Sequence, residues 1–510
     1  MPERPPNVLF LMSDQHAYRY LGHRDEGGEP VETPTFDDLA ANGTTFEGAY
    51  CAAPMCTPSR LSLLTGREPR DAGGWGNASL LKPGLATLPG TLSDAGYETC
   101  LLGKMHLGGS RQFAGFDHRP YGDLTGLGGH QMEQPGVDRP VIDPEKFVRD
   151  AGITGFPESV LQEQTIVQEA LSFLREQRHA NPDQPWFLCA SFSRPHWPRT
   201  APARHFERYW PDGVTRPAVE AGAAAFDHPL VDAQRAKVEG VTDEETMRSR
   251  AGYFACVSYL DEVVGDLLTA LRADGLLENT VVVYTSDHGE LAGEHGLWGK
   301  LTWHEASARV PLVVQTPAHR DGSRDVGRVR TPVSLVDMFP TLCGLAGVDA
   351  PGDLDGVDLS DTVRTGAEPD RPPVTVDSFV RIEEGLEYRA VRDGRYKYVG
   401  FRDAPELLFD LERDPRELTN LAPDATGEDA EALERLREAA KLDFEALDEE
   451  RERHRELEEQ YRLVIPRGTE NQYLWPDGRV VDADTQLYRP DVLADDASLA
   501  FDDYPEDAED

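Results

Sequence analysis

The stretch Asn7-Val8-Leu9-Phe10-Leu11-Met12 is a continuous apolar run that ends abruptly in Ser13-Asp14-Gln15-His16. A second run, Val281-Val282-Val283-Tyr284-Thr285, ends in the same way in Ser286-Asp287-His288. Strands that are apolar along their whole length are typical of a parallel sheet covered on both faces by helices. Ligands of such sheets gather at the carboxyl ends of the strands, so the two Asp residues indicate one shared site.

Polar residues follow two further strand-like runs, at the same edge of the predicted sheet. Residues 98–102 run into Gly103-Lys104-Met105-His106, and residues 186–193 run into Arg194-Pro195-His196-Trp197. Between these runs, apolar residues recur with helical spacing at 160–174 and 254–271. The alternation predicts an α/β domain over residues 1–370, with a large, mostly parallel sheet flanked by helices.

The pattern changes after about residue 370. An Asp393-Gly394 turn at the centre of residues 389–399 predicts a hairpin, and residues 405–411 predict a further strand. Residues 427–462 are rich in Glu–Arg neighbours at helical spacing and predict a charged, solvated or oligomer-facing helical region. We therefore expect a smaller subdomain with an antiparallel sheet over 371–465, followed by a polar extension with an acidic tail over 466–510.

Composition limits the partners of the chain. Its 510 residues carry 92 Asp and Glu against 51 Lys and Arg, a formal charge of -41. This excess disfavours nucleic acid and anionic membranes as partners, and it resembles the acidic surfaces of proteins from halophilic organisms. No segment approaches 18 consecutive apolar residues, and residues 1–6 contain no basic region or cleavage site, which predicts a soluble, cytoplasmic protein.

The six cysteines lie far apart, which disfavours a disulfide scaffold or a zinc site. One of them opens the stretch Cys56-Thr57-Pro58-Ser59-Arg60, which continues to Thr65-Gly66-Arg67. We expect Thr57 to cap a short helix, Pro58 to occupy its first position and Gly66 to end it. The predicted position of Cys56, just before this helix, favours a thiolate and attracts oxyanions.

The order Cys-x-Pro-Ser-Arg, followed by Leu-Thr-Gly-Arg, resembles the signature of the type I sulfatases. In that family the Cys is oxidised to formylglycine, which is the catalytic nucleophile. The resemblance implies an alkaline-phosphatase-like fold and hydrolysis of a small-molecule sulfate monoester. It also implies a formylglycine-generating enzyme as a partner during maturation, and it leaves open whether the protein forms a homo-oligomer.

The same resemblance implies a divalent metal site at Asp14, Gln15, Asp287 and His288, with the group derived from Cys56 as a further ligand. Family members commonly have Asp-Asp where this chain has Asp14-Gln15. The Gln removes one negative charge, which should weaken Ca²⁺ binding and could admit Mn²⁺. We expect Ca²⁺, with Mn²⁺ or Mg²⁺ as alternatives. The Asp-Gln and Asp-His pairing resembles the branch that contains choline sulfatases and phosphonate monoester hydrolases.

The resemblance further assigns roles to five polar residues. Arg60 would hold the hydrated formylglycine, and Lys104 would bind the sulfuryl group. His196 and Lys300 would contact the sulfate and assist the leaving oxygen. One hydroxyl of the hydrate would attack sulfur, and the other would lose its proton to His106 and expel sulfate.

Two alternatives remain at this stage. The same site could act on a phosphonate monoester or phosphodiester, because sulfuryl and phosphoryl groups have similar shape. An unmodified Cys56 would instead leave a protein that binds an anion without turnover. We interpret Glu290 and Glu294 as loop-stabilising residues, and we expect residues 120–160 and 200–250 to shape the substrate pocket.

Overall fold

The computed structural model describes residues 4–22, 29–77, 79–108, 111–122, 144–154, 158–379, 385–461, 472–474 and 480–482. The strands within these ranges are β1 (Asn7–Asp14), β2 (Thr44–Phe46), β3 (Ala49–Tyr50), β4 (Glu98–Gly103), β5 (His118–Tyr121), β6 (Ala151–Ile153), β7 (Trp186–Pro195), β8 (Arg199–Ala201), β9 (Thr280–Ser286), β10 (Arg309–Val310), β11 (Leu312–Gln315), β12 (Gly327–Val329), β13 (Val333–Ser334), β14 (Val374–Ser378), β15 (Tyr388–Asp393), β16 (Tyr396–Phe401), β17 (Leu407–Asp410), β18 (Gln472–Leu474) and β19 (Val480–Asp482). The α-helices are α1 (Pro34–Ala41), α2 (Cys56–Thr65), α3 (Pro69–Ala72), α4 (Leu88–Asp94), α5 (Pro144–Arg149), α6 (Glu158–Ala180), α7 (Ala203–Tyr209), α8 (Pro229–Ala236), α9 (Asp243–Ala273), α10 (Glu305–Ala308), α11 (Pro317–Arg320), α12 (Met338–Ala346), α13 (Ser360–Thr365), α14 (Glu428–Ala440) and α15 (Phe444–Tyr461).

The largest sheet has eight strands in the order β12-β2-β11-β9-β1-β7-β4-β5. Strand β1 lies inside it and pairs in parallel with both β7 and β9. Strand β4 is parallel to β7 and to β5, whereas β11 is antiparallel to β9 and β2. The prediction of a large, mostly parallel sheet is confirmed.

The apolar run of β1 is continuous because helices cover both faces of the sheet. Leu9 and Leu11 share one core with residues of α6 and α9. Val8 and Phe10 point to the opposite face and share a second core with residues of α2 and α12. Alternate residues of a strand face opposite sides, so neither set has contact with water. Complete burial of a side chain of this size contributes about 1.5–3 kcal/mol, which fixes the strand in the centre of the sheet.

Helix α2 starts two residues earlier than predicted. Its N-cap is Met55, so Cys56 is the first helical residue, and the predictions that Thr57 caps the helix and that Pro58 opens it are wrong. The Thr57 hydroxyl instead donates to the backbone carbonyls of Asn77 and His106, at 3.1 and 2.9 Å. Gly66 ends the helix with φ of 64°, as predicted, in the left-handed region that glycine tolerates.

The C-terminal part contains the predicted antiparallel sheet, in the order β14-β15-β16-β17. Strands β15 and β16 form the predicted hairpin, which turns at Gly394 with φ of 51°. The charged region is two helices, because Lys441 ends α14 in a left-handed conformation. We expected a solvated or oligomer-facing helix, but α14 buries Leu433 and Leu436 against this sheet of the same chain.

The predicted limits at residues 370 and 465 stay predictions. The extension over 466–510 lies outside the described residues except for the short pair of β18 and β19. Of the predicted pocket region 120–160, residues 123–143 and 155–157 also lie outside them. Among the described helices, none combines the length and apolar character needed to cross a bilayer.

Candidate active site

The carboxyl ends of β1 and β9 bring Asp14 and Asp287 into one buried site. Ser13 pairs with Ser286 in the parallel register, which places the next residue of each strand at the same edge. The Asp287 carboxylate accepts hydrogen bonds from the backbone N–H of Gln15 and of His288, at 3.0 and 2.9 Å. Both aspartates are fully buried. The two strands therefore bring both aspartates together at one edge of the sheet, where the sequence pattern places them.

Four side chains of this site form a cluster of metal-binding groups. Ligand atoms of Asp14, Cys56, Asp287 and His288 all lie within 4.8 Å of one another, and all four residues are buried. The Sγ of Cys56 is 3.2 Å from the Nε2 of His288. Carboxylate oxygens and an imidazole are ligands that divalent cations accept in proteins. The donor set thus fits a divalent cation.

Two buried cations fix the carboxylates of the cluster. The Arg60 guanidinium donates from Nη2 to Asp14 and from Nε to Asp287, at 3.0 and 2.9 Å. Its Nη1 donates to the Ser191 hydroxyl at 3.0 Å. The ammonium of Lys104 lies 2.6 Å from Asp14. Because a buried charge is stable only when paired, Arg60 and Lys104 hold the two carboxylates in fixed positions.

Lys300 brings a third cation to the cluster from the loop after β9. Its Nζ lies 2.8 Å from the Oε1 of Gln15, 3.1 Å from the Sγ of Cys56 and 2.9 Å from the Nε2 of His288. One ammonium group therefore contacts three of the groups that the sequence assigns to the metal site. The residue before it, Gly299, has φ of 76°, which turns the loop at this point.

The charges around Cys56 favour its thiolate. Burial and Asp14 oppose ionisation, yet Lys300, Lys104 and His288 together hold the pKa of this thiol well below its usual value. Burial also opposes ionisation of Asp14, but Lys104 and its other cationic neighbours keep its pKa well below the ordinary range. The site is therefore built to hold negative charge at position 56.

Two predicted histidines lie on loops that follow different strands of the large sheet. His196 follows β7, and its Nδ1 lies 2.9 Å from the Trp197 carbonyl oxygen. Burial of the ring, with the nearby charge of Lys104, lowers the pKa of His196 to about 3, so the imidazole is neutral at pH 7. His106 follows β4 with φ of 56°, and its carbonyl accepts the Thr57 hydrogen bond from α2.

Sequence reasoning missed Glu163, which supports the end of β7. This carboxylate on α6 is buried and accepts hydrogen bonds from the backbone N–H of Ser193 and Arg194, at 3.0 and 2.9 Å. Burial raises its pKa to about 7. A signal was present in the sequence, because Glu163 lies three and four residues before Ile166 and Val167 on the apolar face of the helix.

The fold and the buried cluster at its strand ends define an alkaline-phosphatase-like hydrolase. The phosphonate monoester hydrolase of Agrobacterium radiobacter superposes with a TM-score of 0.70 and 26% identity, covering 94% of this chain and 99% of that one. The chain belongs to the sulfatase family, whose model matches residues 6–348. Residues 293–441 match the C-terminal region described for N-sulphoglucosamine sulphohydrolase.

Characterised relatives agree with this assignment. The chain is 33% identical over 464 residues to the choline-sulfatase of Rhizobium meliloti, covering 87% of this chain and 88% of that protein. It is 30% identical over 446 residues to the arylsulfatase of Clostridium perfringens, covering 82% and 90%. The protein is therefore a sulfuric ester hydrolase, of a family that generally uses a metal and a formylglycine residue.

Proposed function

We propose that the protein hydrolyses a small-molecule sulfate monoester with a nucleophile derived from Cys56. The observation that supports this most directly is the position of the Cys56 sulfur, 3.1 Å from the Lys300 ammonium and 3.2 Å from the His288 ring. In its formylglycine form, the hydrated group at position 56 supplies one hydroxyl to attack sulfur and a second whose loss of a proton expels sulfate.

Asp14, Gln15, Asp287 and His288 would hold the divalent cation together with the group at position 56. A bound cation would polarise the sulfuryl oxygens and lower the pKa of the attacking hydroxyl. We propose Ca²⁺, with Mn²⁺ and Mg²⁺ as alternatives, because oxygen ligands dominate the set. In this assignment Arg60 maintains the spacing of the two carboxylates, since it binds one with Nη2 and the other with Nε.

The remaining groups are assigned to the charge that develops on the ester. Lys104 and Lys300 supply positive charge for the sulfuryl oxygens, and charges fixed in this way stabilise a transition state. Lys300 is the proposed proton donor to the leaving oxygen, and His106 takes the proton when sulfate is expelled. His196 is neutral at pH 7, so its proposed role is a hydrogen bond to the ester.

The second candidate function is hydrolysis of a phosphonate monoester by the same groups. It is favoured by the superposition on a phosphonate monoester hydrolase and by a neutral Gln15 where a second Asp is common. Parallel steady-state kinetics on 4-nitrophenyl sulfate and 4-nitrophenyl phenylphosphonate separate the two. We expect the higher kcat/KM for the sulfate, and a clear preference for the phosphonate would contradict the first proposal.

We also propose that maturation needs a formylglycine-generating enzyme to convert Cys56. A protein with an unmodified thiol would bind an anion without turnover, which is the non-catalytic alternative. Expression with and without such an enzyme tests this point. We expect metal-dependent sulfatase activity only in the first case, and equal activity in both would contradict it.

A further inference from the structure

Glu290 is a fully buried carboxylate on the loop that follows β9. Its Oε2 accepts hydrogen bonds from the Nε2 of Gln15 and from Arg199, the latter at 3.0 Å. Its Oε1 accepts from the backbone N–H of Ala292 and of Gly299, both at 2.8 Å. Both oxygens are thus engaged, and the carboxylate connects β1, β8 and the loop that carries Lys300.

The partners of the Gln15 amide allow only one orientation of its two ends. A carboxylate accepts hydrogen bonds and an ammonium only donates them. The amide NH₂ must therefore face Glu290, and the amide oxygen must face Lys300, which lies 2.8 Å from it. That oxygen is consequently directed to the ammonium that also contacts Cys56 and His288.

The backbone of Gln15 is fixed independently of its side chain. Its N–H donates to Asp287, and its carbonyl accepts from the Tyr253 hydroxyl at 2.7 Å. It adopts φ of 69°, an uncommon conformation for a residue other than glycine. With the backbone fixed, the rotation of the amide is what decides whether an oxygen or an NH₂ group faces the cluster.

We propose that Glu290 is a positioning residue that enables the neutral amide of Gln15 to act as an oxygen ligand. The inference rests on the proposed function, since it takes Gln15 as part of the metal site. A second Asp at this position would present an oxygen in either rotation, whereas Gln does so in only one. The hydrogen bond from the Gly299 N–H to Glu290 also holds the backbone next to Lys300 in place.

The variant Glu290→Gln tests the role of the carboxylate without changing its size. If the new side-chain oxygen keeps the Ala292 and Gly299 hydrogen bonds, its NH₂ group faces the NH₂ group of Gln15. The Gln15 amide then turns round and presents NH₂ to the cation. We expect the Ca²⁺ affinity of the metal-free protein, measured by titration calorimetry, to fall by about 10–100-fold, with a similar loss in kcat/KM.

The double variant Gln15→Glu with Glu290→Gln restores the match of donor and acceptor between positions 15 and 290. The Arg199 guanidinium faces the new NH₂ group in both the single and the double variant, so the comparison of the two isolates the contact with position 15. The carboxylate at position 15 accepts from the amide at position 290 and still presents an oxygen to the cation. We expect Ca²⁺ affinity within about 3-fold of the wild type, or tighter because of the added charge. A merely structural role of Glu290 would predict no such rescue.

Glu294→Gln is the matched control. Glu294 is also buried, accepts from the backbone N–H of Ala218 and Val219, and lies 3.6 Å from Arg250. The hydrogen bonds and ion pairs that Glu294 makes with described residues do not include Gln15 or Lys300. We expect this variant to keep the wild-type Ca²⁺ affinity within about 2-fold, even if the unfolding temperature falls as far as in Glu290→Gln.

The possible results separate the inference from the proposed function. A wild type that binds none of Ca²⁺, Mn²⁺ and Mg²⁺ would overturn the proposed metal site and the inference with it. A wild type that binds Ca²⁺ while Glu290→Gln binds it equally well would overturn the inference alone. Weak binding by Glu290→Gln that the double variant does not restore would also overturn it.

Discussion

The ammonium of Lys300 lies 3.1 Å from the sulfur of Cys56. These residues come from different elements, the loop after β9 and the first turn of α2, and are 244 positions apart. A cation in this place stabilises negative charge on the group at position 56 and on an ester that it attacks. In the proposed mechanism, this position allows Lys300 to act both on the group at position 56 and on the departing alcohol.

Replacement of Lys300 by Met should impair cleavage most for esters with poor leaving groups. Loss of a proton donor typically reduces the rate by about 10²–10⁴-fold. We expect kcat/KM for a series of aryl sulfates to depend more steeply on the pKa of the leaving phenol than in the wild type. Lys82→Met is the control, because Lys82 is partly exposed and pairs with Glu450. An unchanged dependence would contradict the proposed role.

Arg60→Lys should destabilise the protein although the charge is kept. The guanidinium binds Asp14 and Asp287 with different nitrogens, and an ammonium cannot reproduce that geometry. Because a buried carboxylate loses its partner, we expect the free energy of unfolding to fall by about 3 kcal/mol. Urea unfolding measures it, with Arg364→Lys as the control at an exposed ion pair with Asp361. Equal losses in both variants would contradict the prediction.

Glu163→Gln should change how stability depends on pH. Burial raises the pKa of Glu163 to about 7 from an ordinary value of 4.5, so its contribution is present below pH 4.5 and is lost as the pH rises through about 7. Between about pH 5 and pH 8 the wild type should lose up to about 3 kcal/mol more than the variant, whose amide does not ionise.

Urea unfolding at the two pH values measures this difference. Glu176→Gln is the control, since Glu176 is exposed on the same helix and its replacement should leave the pH dependence of unfolding unchanged. A Glu163→Gln variant with the same pH dependence as the wild type would show that the carboxylate ionises freely in the folded protein.

The C-terminal sheet should stabilise the loop that carries Lys300. Lys397 on β16 donates to the carbonyl of Trp303 at 2.9 Å and pairs with Glu305 and Glu417. Lys397→Met leaves these carboxylates without their ammonium, so we expect the free energy of unfolding to fall by about 3–5 kcal/mol.

Hydrogen exchange of residues 299–305 should show faster opening of this loop in Lys397→Met. The double variant Lys397→Met with Glu417→Gln removes one charge of each sign, and we expect it to lose less stability than the single variant. Slow exchange in the loop of Lys397→Met would contradict a supporting role for the sheet.

Features that depend on local pattern could be predicted from the sequence. The apolar runs of β1 and β9 are uninterrupted and are followed at once by Ser-Asp, so the sequence predicts both the sheet and the meeting of the two aspartates. The start of α2 could not be predicted in this way. The Thr57 hydroxyl donates to the carbonyls of Asn77 and His106, which are distant in sequence. These tertiary hydrogen bonds outweigh the local preference of Thr for the N-cap position of a helix.

Residues that support the site from outside the cluster were harder to find. The sequence indicates that Glu290 stabilises its own loop, as its hydrogen bonds with Ala292 and Gly299 show. Its contact with Gln15, 275 positions away, follows from no spacing rule. Glu163 gave only the weak signal of a charge on an apolar face. The break between α14 and α15 was missed because Lys441 adopts a left-handed conformation that sequence normally assigns to Gly or Asn.

The central claim is that Cys56 is the precursor of the catalytic nucleophile. Mass spectrometry of the peptide that contains Cys56, from catalytically active protein, tests it most directly. We predict a peptide lighter by about 18 Da, the change from thiol to aldehyde, and no turnover after Cys56→Ala. An unmodified thiol in fully active protein would contradict the account.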